Sequence, residues 1–160
     1  MPRRHRVIAA VGLSAFFSVS TVALASNPVR SSSFRGTATG PVAAARAFIA
    51  KVPVTFTTSS NGKRLRFVYT DTVCRLAHSN TQAVGTITIS GGKFSLRGHQ
   101  SLAAAKSSKH GAKVLTTTSV AGTFVSPRKV KGTLAFKQVE TKAPKASCGT
   151  IDLSFTATAR

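Results

Sequence analysis

The chain has 160 residues, with 23 Lys and Arg against 3 Asp and Glu, a net charge of +20, and 42% hydrophobic residues. This is the length of one domain and is too apolar for a chain disordered throughout. Three carboxylates exclude calcium cages and most paired-carboxylate active sites, and the lack of Trp with a single Tyr removes the usual exposed stacking platforms.

Residues 3–6 read Arg-Arg-His-Arg, and an uncharged apolar stretch follows from Val7 to Ala25. It ends in Ala23-Leu24-Ala25, with polar Ser26-Asn27 after it. Basic, apolar and small-residue segments in that order predict a secretory signal peptide over residues 1–25, cleaved after Ala25. An uncleaved anchor is the alternative, because the stretch is just long enough to span, although Ser14, Ser18, Ser20 and Thr21 weaken it. Cleavage removes Arg3, Arg4 and Arg6 and no acid, leaving 20 bases against 3 acids, net +17. The expected organisation is a signal over 1–25, a flexible small-polar lead-in over 26–33, and one domain over 34–160.

Phe34–Thr39 can form a first short edge strand, and Ala-rich Pro41–Ala50 has room for one helical turn before Pro53. From Val52 onward the apolar residues recur with period two, the mark of half-buried strands. Val52, Val54 and Phe56 lead to Asn61-Gly62, a strong hairpin-turn signal. Leu65, Phe67 and Tyr69 return. Gly85, Ile87 and Ile89 turn at Ser90-Gly91-Gly92 into Phe94 and Leu96. Val114, Thr116, Thr118, Val120, Gly122 and Phe124 make one long face. Ser126-Pro127-Arg128-Lys129 turns into Val130, Gly132, Leu134 and Phe136, and Ile151, Leu153, Phe155 and Ala157 close the series. Seven to eight strands so spaced predict an all-β fold, an antiparallel β-sandwich or closed barrel.

Gly-Thr recurs at residues 36, 85, 122, 132 and 149, with Val120-Ala-Gly-Thr-Phe and Val130-Lys-Gly-Thr-Leu especially alike. Glycine within a strand admits a neighbouring backbone or large side chain, or marks a bulge. These V-x-G-T strands occur with Phe34-Arg-Gly-Thr, Gly92-Lys-Phe-Ser and a closing Cys148-Gly-Thr-x-x-x-Ser-Phe-Thr-Ala. With them, residues 33–160 resemble a group of uncharacterised secreted bacterial β-sandwich proteins. The resemblance implies the fold and carries no catalytic residue.

If neighbouring strands are antiparallel, the tight turns at 61–62, 90–92 and 126–129 share one end. The long loops at 73–83, 97–113 and 138–148 share the other. Cys74 and Cys148 then fall at the long-loop end, and in an oxidising compartment they are expected to pair. His78, His99, His110 and Glu140 fall at that end too. They lack metal-ligand spacing, and Lys106, Lys109, Lys113, Lys142 and Lys145 around them would repel a dication, so no metal site or other cofactor is expected.

The carboxylates Asp71, Glu140 and Asp152 are scattered. Asp71 is expected to pair with a nearby cation, and Asp152 to point away from the core. Nucleophile-elbow, phosphate-loop and dinucleotide fingerprints are absent. The chain therefore reads as a non-enzyme. Its charge favours polyanions, with candidate contacts in Lys63, Arg64, Arg128, Lys129 and Lys131 by the tight turns and Lys106, Lys109, Lys113, Lys142 and Lys145 in the long loops. With Phe56, Phe67, Phe94, Phe124, Phe136 and Phe155 all on inferred core faces, sequence-specific nucleic-acid recognition is disfavoured. The expectation is a secreted or envelope-associated basic protein bound electrostatically to anionic envelope or extracellular polymers, with no membrane span once the signal is removed. The competing expectations are a secreted hydrolase and a protein-binding or inhibitor module, either using the long-loop end.

Overall fold

The computed structural model describes residues 25–42, 45–105, 111–142 and 147–160. The segment read as an export signal therefore lies, apart from Ala25, outside the described residues. Eight strands follow in chain order: β1 (Ser33–Val42), β2 (Ala45–Thr58), β3 (Arg64–Thr70), β4 (Thr81–Thr88), β5 (Lys93–Ala103), β6 (Lys113–Ser126), β7 (Lys129–Glu140) and β8 (Ser147–Ala159). They form one antiparallel sheet in the order β4-β3-β2-β1-β8-β7-β6-β5. Every strand pairs with its chain neighbour except β4 and β5, and β1 pairs with β8, so the meander curls into a nearly closed barrel with a seam between β4 and β5. The all-β antiparallel class is as the periodicity predicts, in its barrel form.

The seam is drawn together without a ladder. Ala77 bridges Ala104, the His78 amide donates to Ala103 O at 2.7 Å, the Ala105 amide donates to Leu76 O at 2.8 Å, and the Gln100 side-chain amide donates to Ala83 O. The helical turn allowed by the composition of Pro41–Ala50 is not present among the described residues. β1 runs on to Val42 and pairs with β2 through Pro41↔Ile49, because partners on both sides of β1 favour extended backbone over one isolated turn.

An eight-stranded barrel is just wide enough for its own side chains to fill. At the tight-turn end, Phe34, Phe56, Phe67, Phe94, Phe124 and Phe155 are all buried and contact one another as rings. Phe34 stacks on Phe56 at 4.7 Å between centroids and meets Phe124 edge-on at 5.5 Å. Towards the long loops the interior turns polar: Tyr69, Asp71, Gln82, Thr116, Thr118, Gln138 and Glu140 are all buried.

The lead-in joins the barrel by backbone hydrogen bonds across the tight-turn end. Ser26 N donates to Phe124 O at 2.7 Å, Val29 N to Pro127 O at 2.9 Å and Ser31 N to Ser59 O at 3.2 Å. Pro28 is buried there.

Candidate functional site

Antiparallel order places the tight turns at one end and the long loops at the other. Among the described residues, the candidate cations of the two groups therefore stand at opposite ends. Lys63, Arg64, Arg128, Lys129 and Lys131 are exposed together at the tight-turn end. Lys113 and Lys142 are exposed at the other end, and Lys106, Lys109 and Lys145 lie outside the described residues.

The tight-turn end gathers more cations than the turns alone suggest. Arg30 on the lead-in, Arg35 on β1, Arg66 on β3, Lys93 on β5 and the final Arg160 are also exposed there. No Asp or Glu side chain accompanies them, since Asp71, Glu140 and Asp152 lie nearer the other end of their strands. The strand register shows how the six of these cations that lie on strands are spaced. Arg35 stands across from Thr55 and Thr158, Arg66 across from Thr57 and Thr86, and Arg64 across from Thr88. Lys131 faces Thr123 and Thr156, Lys129 faces Thr158, and Lys93 faces Thr123.

Around the barrel, cation columns on the odd-numbered strands alternate with threonine columns on the even-numbered ones. Like charges directly opposite on a sheet destabilise it, and Thr is favoured on an outer strand face. A threonine column between two cation columns sets them roughly 10 Å apart at the backbone, twice the interstrand spacing. Each of these six strand-borne cations thus has a threonine hydroxyl beside it. Arg30, Arg35, Arg66, Lys93 and Arg160 were missing from the sequence-level set. They become visible when turn parity is extended along each strand, since every odd-numbered strand begins at this end.

At the long-loop end, Cys74 and Cys148 form a disulfide, with Cα atoms 5.6 Å apart. Asp71 departs from the cation pairing expected of it. Its Oδ1 accepts the Val73 and Cys74 amides and its Oδ2 the Arg75 amide, each at 2.9 Å. A buried carboxylate three residues ahead of the disulfide is best satisfied by the three amides of its own loop, which cost no long side chain its freedom.

The His78, His99, His110 and Glu140 set does not assemble among the described residues. Glu140 is buried inside β7, His78 is exposed, and His99 lies on the outer face of β5 with its ring bonded to Thr117. His110 lies outside the described residues. The 97–113 loop is shorter than expected because β5 continues to Ala103. Asp152 is exposed on β8, as its alternation with Ile151 and Leu153 predicts.

Inside that end, the Tyr69 hydroxyl reaches Thr118 across the barrel at 3.1 Å, and the Tyr69 ring packs on Phe136 at 5.1 Å. Burial pushes the Tyr69 phenol up to about 12, with the Asp71 charge adding and the Thr118 hydrogen bond opposing. Gln82 Nε2 donates to Ser79 O, and Gln138 Oε1 accepts the Leu76 amide. Gln82 Oε1, Thr116 Oγ1, Gln138 Nε2 and Glu140 Oε1 make no hydrogen bond among the described residues.

No protein-family model matches this chain, and comparisons with curated proteins and with solved structures return no match either. Among the described residues no helix is long and apolar enough to cross a membrane.

Proposed function

We propose that this is a secreted, non-catalytic protein that binds anionic polymers of the cell envelope or extracellular space through the cation–threonine belt at its tight-turn end. One observation carries the reading: ten exposed cations stand at one end of the barrel, with hydroxyl side chains between their columns and no Asp or Glu among them. Such a surface attracts polyanions at long range, and hydroxyl donors add short-range contacts to phosphate, sulfate or carboxylate oxygens. Export is supported by the N-terminal basic–apolar–small pattern and fits the Cys74–Cys148 bridge. The non-catalytic part is supported by the carboxylates: Asp71 is engaged by loop amides, Glu140 is inside, and Asp152 is outside on another strand.

The test separates the belt from net charge. Retention on immobilised polyphosphate and on an acidic polysaccharide is measured across a salt series for the wild type and two charge-matched double variants. Lys129→Thr/Lys131→Thr removes two belt cations, and Lys113→Thr/Lys137→Thr removes two cations elsewhere. The belt variant is expected to lower the log–log salt slope by roughly 0.7–0.9 per lost contact, by analogy with nucleic-acid phosphates. The other variant should change it far less. Equal losses, or no retention of the wild type at low salt, would overturn the proposal.

A further inference from the structure

Between the lead-in and the two glycine turns lies a cleft of about 420 Å³, walled by Asn27, Arg30, Asn61, Lys63 and Ser90 beside Ile89. We infer that this cleft seats a single oxyanion group, a phosphate, sulfate or carboxylate, carried by the polymer that the belt attracts. The inference rests on the polyanion reading of this end and adds to it one discrete subsite.

The wall chemistry is one-sided. Arg30 and Lys63 can only donate. The Asn61 amide is fixed in orientation, because its Oδ1 accepts the Lys63 backbone amide at 3.0 Å and the Ser59 hydroxyl at 2.7 Å. The end left for a ligand is therefore the NH₂ donor. Ser90 contributes a hydroxyl, and no carboxylate lines the cleft. Gly62 and Gly91, with φ of 68° and 55°, turn the chain here without side chains; the Gly62 amide donates to Ser59 O at 2.9 Å, while Gly91 has open space where a β-carbon would stand, so an anion can approach its peptide group.

The second wall is held in place. Val29 bonds to Pro127, and the Thr58 hydroxyl donates to Val29 O at 2.7 Å and receives the Ser32 amide at 3.1 Å. Pro28 is buried beneath it. Arg30 and Asn27 thus stand on a segment tied to the strand ends that carry Asn61 and Lys63. Donors set in place before binding spare the ligand the entropy of ordering them.

The purified protein is titrated with sodium phosphate, sulfate and acetate at constant ionic strength held with sodium chloride. Binding is followed through the amide resonances of Gly62 and Gly91 and the Asn61 side chain. Saturable shifts are expected, and the tightest of the three ions identifies the group. Phosphomonoester and phosphodiester probes then distinguish a terminal from an internal phosphate.

Asn61→Asp keeps the hairpin-turn chemistry and the accepting oxygen but replaces the donor by a negative charge. It should weaken the ion about 10-fold or more, the usual scale for a hydrogen bond to a charged group, while polymer retention keeps its salt slope. Arg30→Gln covers a loss of folding in the first variant: it should weaken the ion as well and, because a belt cation is lost, lower the salt slope by roughly 0.7–0.9. Shifts that never saturate, or that both variants leave unchanged, overturn the subsite while the belt reading stands. A wild type that no polymer retains removes both.

Discussion

Phe94, Gly122, Gly132 and Phe155 form one row across β5–β8, and the two glycines are what let the two rings lie inside the barrel. A β-carbon at Gly122 would meet the Phe94 ring, 2.8 Å from Cε1, and one at Gly132 would stand 2.6 Å from Phe155 Cζ. At two of the five Gly-Thr pairs, Gly122-Thr123 and Gly132-Thr133, the repeat therefore has a physical meaning: glycine faces inward beneath a ring while threonine faces out. Tyr69 makes a second single-residue argument. Its phenol is raised by burial to about 12, whereas an unfolded tyrosine ionises near pH 10. Above pH 10 the unfolded chain sheds this proton first. The stabilisation from Tyr69 is therefore complete below pH 10 and is lost as the pH rises towards 12. As the only tyrosine in a chain without tryptophan, it gives an unambiguous signal. Tyrosinate absorbance is expected to appear near pH 12 together with unfolding, and Tyr69→Phe should remove this contribution to the alkaline loss of stability. Ionisation near pH 10 in the folded protein would contradict the burial argument. The glycine echo was legible in the sequence, but the ring filling each gap was not, because it depends on the register of a different strand.

At the scale of elements, turn chemistry was legible because Asn61-Gly62, Gly91-Gly92 and Pro127-Arg128 act locally, and parity then placed both cysteines at one end. Strand limits were less legible. The period-two pattern ends near Leu96, yet β5 runs to Ala103 with Gly98, Gln100 and Leu102 half-buried, and a glycine and a glutamine on an inward face hide the period. The loop after β3 was misread for a related reason: a buried carboxylate suggests a cation, while backbone amides leave no mark in a sequence. The two readings of Asp71 predict different salt behaviour. Asp71→Ala leaves three amides without their acceptor and is expected to cost about 1–3 kcal/mol, whereas Asp71→Asn keeps one carbonyl oxygen and should cost less. Urea unfolding of the three proteins, with the disulfide intact, should preserve that order in high salt, because short hydrogen bonds in a partly buried loop are weakly screened. A difference that vanishes with salt would instead favour an exposed ion pair.

The whole molecule is graded along the barrel axis and uneven around its circumference. Its tight-turn half is a packed set of phenylalanine rings under a lead-in hydrogen-bonded to the barrel. Its long-loop half holds buried polar groups, four of whose atoms have no hydrogen-bond partner among the described residues. Around the circumference, β6, β7, β8, β1, β2 and β3 are each paired on both sides, while β4 and β5 face each other through a seam bridged by loop bonds and Gln100. The sequence could give strand number and inward faces, but not the seam, since strand alternation looks the same whether or not a neighbour completes the ladder. Local opening starts where the backbone is least paired and burial is least apolar. Amide exchange should therefore be slowest in β1, β8 and the tight-turn halves of β2 and β7, and fastest among the strands along β4 and the long-loop half of β5. Gln100→Ala removes the side-chain bridge to Ala83 and should speed exchange in β4 well before it affects β8. Equal protection in all eight strands, or the same acceleration in β4 and β8, would mean that the barrel opens only as one unit and that the seam is not its weak line.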